Sequence, residues 1–349
     1  MALFKTKTMQ SFVSLSCAFI IAAACASHAA KAQTGASGYV VTQTIPLPGD
    51  EGWDYVFVDS AARRAYISHG ARVLVMDLDS SKIVGTIENT AGVHGIAIAP
   101  DLGHGFVSDG RANTITIFDT RTLKTIGTAN AGTNPDAIIF DPASKRVFAM
   151  NGRSGDVTAL DAATGNVVGT MPIGGKLEFA AADGKGNVFV NVEDKSEIVE
   201  FDANGLKVLH HYPLAPCEEP SGLAMDVANR RLFVGCRNKM MAVVDADSGK
   251  IIATPAIGEG VDATAFDPSA GYAFSSNDEG TLTVVKENSP SDFAVIDTVQ
   301  TKKSARTMGL DLKTHTVYLP AAEFEPAAPG ERRGKMKPGS FILVVVEKR

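Results

Sequence analysis

Asp136-Ala-Ile-Ile-Phe-Asp141-Pro142 leads into Arg146-Val-Phe-Ala-Met150, then Val157-Thr-Ala-Leu-Asp161, then Asn166-Val-Val-Gly-Thr-Met171. Four short runs of β-branched and aromatic residues are separated by Asp, Gly, Asn and Pro, the residues that close tight turns, so the stretch reads as four consecutive strands. Parts of the same text recur as Thr116-Ile-Phe-Asp119, Val243-Val-Asp245 and Gly249-Lys-Ile-Ile-Ala253. Aligning Asp59, Ala99, Asp141, Asp183, Asp226, Asp267 and Asp311 gives steps of 40, 42, 42, 43, 41 and 44 residues. A period near 42 residues is the length of one four-stranded propeller blade, and seven anchors mean seven blades.

A single blade cannot bury both of its faces; radial stacking does so, and a closed circle leaves only short edges. The expected fold is therefore an all-β, seven-bladed β-propeller over residues 39–349. The chain ends indicate how it closes. Tyr39-Val-Val-Thr-Gln-Thr-Ile45 precedes the first anchor and has no blade of its own, while Arg306 to Leu310, Thr316 to Leu319 and Phe341 to Val346 supply only three strands. Residues 39–45 are expected to complete the last blade.

The first 32 residues read differently. Lys5 and Lys7 precede the apolar run Phe12 to Ala26, and Ala30-Lys31-Ala32 suits a signal peptidase site, so residues 1–32 are expected to be a signal peptide. That places the mature chain in the periplasm or outside the cell. Its removal takes away three lysines and no acid, moving the formal charge from -6 to -9. An acidic balance gives no general reason to bind nucleic acid or an anionic membrane, so neither is an expected partner. No later apolar run is long enough to span a bilayer, and a monomer is expected. Cys217 and Cys236 remain after cleavage. Cys217 lies just before the first strand of blade five and Cys236 ends its second strand, which favours a disulfide over free thiols or metal ligation.

The repeat register also assigns radial positions. Five residues before each anchor stand Asp54, His94, Asp136, Glu178, Ser221, Asp262 and Arg306, all polar, at the start of the innermost strand. Ten residues after each anchor stand His69, Asp109, Asn151, Glu193, Cys236, Asn277 and Ala321, at the end of the second strand. The two strands run antiparallel, so both sets are expected on one face, the first nearer the axis.

This constellation is the candidate ligand site. Asp54, His94, Asp136, Glu178 and Asp262 are candidate ligands of a divalent metal, hard if oxygen alone serves and softer with imidazole. His94 is the candidate catalytic residue, and Trp53 stands beside the ring as either a stacking surface or inter-blade packing. Ser221, His94 and Asp136 can be drawn as a triad, but many ring residues can be joined in that way. There is no GxGxxG opening a helix, GxxxxGK[ST], HExxH, GxSxG or CxxCH. Phe57, Phe106, Phe140, Phe148, Phe189, Phe233, Phe266 and Phe274 recur in strand register and read as inter-blade core.

Two insertions depart from the repeat. Pro320 to Pro338, with Arg332, Arg333, Lys335 and Lys337, reads as a long loop that could carry a protein partner, and Lys286 to Asp292 reads as a plain surface turn.

The units Phe140-Asp-Pro-Ala-Ser-Lys-Arg-Val-Phe-Ala-Met-Asn151 and Val157-Thr-Ala-Leu-Asp-Ala-Ala-Thr-Gly165 resemble the YVTN-type, or YncE-like, propeller family of exported proteins. The literal signature is absent, its nearest forms being Phe148-Ala-Met-Asn151 and Val188-Phe-Val-Asn191. The resemblance implies seven blades and residence outside the cytoplasm, and no single activity. Three functions stand open from the sequence: a binding protein for a small molecule, peptide or cation, a metal-assisted lyase or hydrolase at the same ring, and a protein-interaction scaffold.

Overall fold

The computed structural model describes residues 37–328, 330 and 333–349; the expected signal peptide lies outside the described residues. Seven four-stranded antiparallel sheets follow one another around a ring. The third is built as its sequence reads, from Pro135–Asp141, Arg146–Asn151, Asp156–Asp161 and Val167–Pro172, in sequential antiparallel order. Its second strand is almost wholly buried and its fourth largely exposed. That gradient is the product of radial stacking, because the middle strands are covered on both faces and the outermost strand borders solvent.

The last blade contains Gly309–Asp311, Thr316–Ala321 and Ile342–Lys348, and its outer strand is Tyr39–Pro46 from the other end of the chain. Tyr39 pairs with Lys348 and Pro46 with Ile342, with one register shift between Val41 and Gln43. The closure expected from the sequence is thus present, and strands from the two ends of the described residues share a single sheet.

Apolar residues between blades form the core. Phe106, Phe148, Phe189, Phe233 and Phe274 are fully buried, while Phe57, Phe140 and Phe266 are partly so. Trp53 stacks on Phe341 at 5.3 Å and lies 6.0 Å from Phe324, which makes it inter-blade packing between blades one and seven.

Cys217 and Cys236 form a disulfide with Cα atoms 5.5 Å apart. Among the described residues no helix is long and apolar enough to cross a membrane.

Both insertions differ from their expected form. Pro320 and Ala321 finish the second strand of blade seven, so the departure begins at Ala322. The base of the segment is paired: Phe324 bridges Met336, Glu325 N–H donates to Lys335 at 2.8 Å, and Lys337 N–H donates to Glu323 at 2.8 Å. Lys286 to Asp292 is mostly strand, because Thr281–Ser289 and Asp292–Gln300 prolong the outer hairpin of blade six. Phe293 of this extension packs against Phe233 in blade five at 5.9 Å, and the Arg231 side chain donates to Pro290 O at 2.7 Å. Contacts with the neighbouring blade therefore outweigh the turn-like composition of Glu287 to Ser291.

Candidate functional site

The innermost strands bring the seven ring residues together at one end of the channel. Antiparallel pairing puts Asp109 opposite Val93, Asn151 opposite Pro135, Cys236 opposite Pro220 and Asn277 opposite Val261, so each second strand ends beside the start of the first. Both sets do lie on one face.

The backbone under the ring is fixed from the preceding blade. Thr307 donates to the carbonyl of Asp54, Ser108 to that of Asp136, Asn191 to that of Ser221, Ser221 to that of Asp262, and Ser276 to that of Arg306. Five of the seven ring positions are held in this way. These bonds remove the inter-blade freedom that would blur the ring geometry.

Within the ring, His94 Nδ1 lies 2.6 Å from Asp54 Oδ2 and 3.8 Å from Asp136 Oδ1. Arg306 Nε is 2.9 Å from Asp262 Oδ2, and its Nη2 is 3.7 Å from Asp54 Oδ1 and donates to Trp53 O at 3.2 Å. Arg306 Nη1 is buried without a hydrogen-bond partner. Ser221 Oγ donates to Asp262 Oδ1 at 2.9 Å. Lys176 Nζ lies 2.7 Å from Glu178 Oε1 and also pairs with Glu193, which Arg237 approaches to 3.4 Å.

Charges crowded in a desolvated mouth shift one another. Burial works against the His94 cation, but the Asp54 hydrogen bond and the charges of Asp136 and Asp54 outweigh it and raise its pKa to about 9. Burial raises Asp136 to about 7, with His94 opposing the rise and Asp54 and Asp262 adding to it. Burial and the Asp136 charge push Glu178 well above the usual carboxylate range. Burial likewise raises Asp262, against the pull of Arg306. At neutral pH the ring therefore retains protons on groups that would shed them in water.

One ligand atom each from Asp54, His94 and Asp136 lie within 4.8 Å of one another, the separation of groups sharing one ion. Glu178 and Asp262 are not in that cluster; they engage Lys176 and Arg306 instead.

Three of the outer set are committed to their own blades. Asp109 accepts from Thr114 and Thr116 at 3.1 and 2.7 Å, Asn151 donates to Asp156 and Thr158 at 2.7 and 2.9 Å, and Asn277 donates to Thr281 and Thr283 at 3.0 and 3.2 Å. His69 is buried, stacked on Phe341 at 4.5 Å, with Nε2 2.9 Å from Glu51. Cys236 is oxidised and Ala321 is buried and apolar.

Two groups important to the ring were not anticipated. Lys176 precedes its strand and carries no repeat signature, although it stands two residues before Glu178. Tyr55 and Phe179, from opposite sides of the ring, meet beneath it with centroids 4.4 Å apart. The seven residues that follow the ring positions are Tyr55, Gly95, Ala137, Phe179, Gly222, Ala263 and Thr307. Five are small, and the two aromatics occupy the space they leave. Tyr55 Oη is buried without a hydrogen-bond partner, and its pKa is pushed up by burial and by the charges of Asp136, Glu178, Asp54 and Asp262. The channel mouth is thus a polar cup with an aromatic floor.

These features define the class: a seven-bladed β-propeller with a floored, charged channel mouth. No protein family profile matches the chain, and no curated protein sequence matches it. Among solved structures it is similar to that of U3-55K, with a TM-score of 0.74 and 9% identity, covering 89% of this chain and 99% of the other. The likeness is one of fold.

Proposed function

We propose that this chain is a binding protein whose ring captures a small cation, a divalent metal ion in its simplest form. The observation that carries the reading is the Asp54, His94 and Asp136 cluster, whose ligand atoms lie within 4.8 Å of one another. Two carboxylates and one imidazole suit a borderline divalent ion, and the open side of the cup leaves room for water or a ligand group in its remaining positions. A bound ion would take the place of the proton that these groups otherwise hold.

Binding is favoured over turnover with His94 as general base by the state of His94. With its pKa near 9 the imidazole is protonated at neutral pH, the opposite of what a general base requires. The disulfide fits an oxidising compartment, and we read the chain as an exported protein of the YVTN type, on the repeat units quoted above.

The test is metal content by mass spectrometry together with calorimetric titration of Zn²⁺, Mn²⁺ and Ca²⁺ into chelator-treated protein. One equivalent bound by the wild type and lost in a folded Asp54→Ala/His94→Ala variant supports the reading. No saturable binding of any of the three ions sinks it.

A further inference from the structure

Beside the ring, between blades two and three, a cleft of about 520 Å³ opens on the same face. His94 forms one wall of it, and Arg111, Arg153, Asn113, Thr133 and Asn134 line the rest; no carboxylate does. In a protein with a formal charge of -6, a cleft lined by two arginines and no acid is set apart from its surroundings.

Arg111 and Arg153 are equivalent residues, each two positions beyond the end of its blade's second strand. Their backbones are fixed alike, Arg111 N–H donating to Ala91 O and Arg153 N–H to Thr133 O, both at 3.2 Å. A Cβ at Gly92 would lie 2.9 Å from the Arg111 backbone nitrogen, and one at Gly110 would lie 2.5 Å from His94 Nε2. Glycine at these positions is what lets the arginine loop and the imidazole sit against the cleft.

The arginines elsewhere on this face are already paired: Arg72 with Glu51, Arg237 with Glu193 and Glu219, Arg306 with Asp262, and Arg333 with Asp278. Among the described residues the guanidinium groups of Arg111 and Arg153 form no ion pair and are exposed. Two planar cations facing one cleft match the geometry of a carboxylate, which guanidinium binds through paired N–H donors.

We infer that this cleft is an anion subsite continuous with the ring, and that the ligand is a small molecule carrying a carboxylate at one end and a cationic group at the other. His94 stands between the two halves, with Nδ1 toward Asp54 and its opposite edge toward Gly110 and Asn134. The cationic half rests on the function proposed above; the anionic half does not.

Succinate and 5-aminopentanoate separate them when titrated by calorimetry at low ionic strength into wild type, Arg111→Ala/Arg153→Ala and Asp54→Asn/Asp136→Asn. Succinate should bind the wild type, weaken by about tenfold or more without the arginines, and be undiminished without the two carboxylates. The zwitterion should weaken in both variants. No saturable succinate binding, or equal binding by a folded arginine variant, overturns the anion subsite. Succinate behaving as expected while the zwitterion ignores the carboxylate variant overturns the joined site and counts against the cationic ring, leaving a cleft for anions alone.

Discussion

Arg63 of the first blade pairs with the buried carboxylate of Asp311 in the last, across the seam where the ring closes. The relation repeats around the opposite face: Arg230 lies 3.2 Å from Asp183, His315 2.6 Å from Asp267, and Lys145 3.7 Å from Asp101. Each basic residue stands four positions after its own blade's anchor, with a left-handed backbone of φ 52° to 60°, and reaches the preceding blade.

Burial would raise the Asp311 carboxyl, but hydrogen bonds from Arg63, Ser60 and Thr314 outweigh it and hold the pKa at about 2. A depressed carboxylate contributes stability above its unfolded pKa and loses it as pH falls through the folded value. Asp311→Asn should therefore cost about 2 kcal/mol at pH 6 and little near pH 2. Denaturant midpoints of both proteins across that range check this; a difference that does not shrink on acidification contradicts it.

His94 predicts the opposite slope. Its pKa is raised to about 9, so its contribution is complete below the unfolded value near 6.5 and fades as pH rises through 9. In chelator-treated protein, the stability advantage of wild type over His94→Gln should fall between pH 6.5 and 9.5, measured by urea unfolding.

The disulfide joins residues 19 apart in sequence. A loop of that length contributes about 3 kcal/mol by restricting the unfolded chain. Cys217→Ser/Cys236→Ser should lose that much in urea and keep its far-ultraviolet circular dichroism, whereas an unchanged midpoint would mean that the bridge adds nothing the blade does not already have.

Tyr55 predicts two results of different size. Tyr55→Phe removes a buried hydroxyl that has no partner and should be neutral or slightly stabilising. Tyr55→Ala removes half of the channel floor and should cost about 3 kcal/mol. Equal losses in the two variants would show that the hydroxyl, and not the ring stack with Phe179, does the holding.

The blade count and the ring were readable because both rest on a period. Asp54 through Arg306 fall five residues before their anchors, and a repeat that fixes radial position places such residues together without any knowledge of contacts. The state of the outer set was less readable, although its signal is local: Asp109 with Thr114 and Thr116, Asn151 with Asp156 and Thr158, and Asn277 with Thr281 and Thr283 show polar side chains satisfied within one hairpin. Tyr55 and Phe179 meet across the ring, between blades far apart in sequence, and Lys176 lies outside the repeat register, so no spacing announces any of the three. Glu287 to Ser291 misled for a physical reason, since a polar outer edge can be strand or turn and contact with Phe233 and Arg231 decides.

The pairing of Tyr39–Pro46 with Ile342–Lys348 also orders events in time. Among the described strands, the outer strand of the last blade is the first to be synthesised and its partner the last. While the strands between them are made, Tyr39–Pro46 therefore has nothing to pair with, and the circle cannot shut on a partly made propeller. A fold whose first strand waits for its last is one that completes only after the whole chain has arrived in one place.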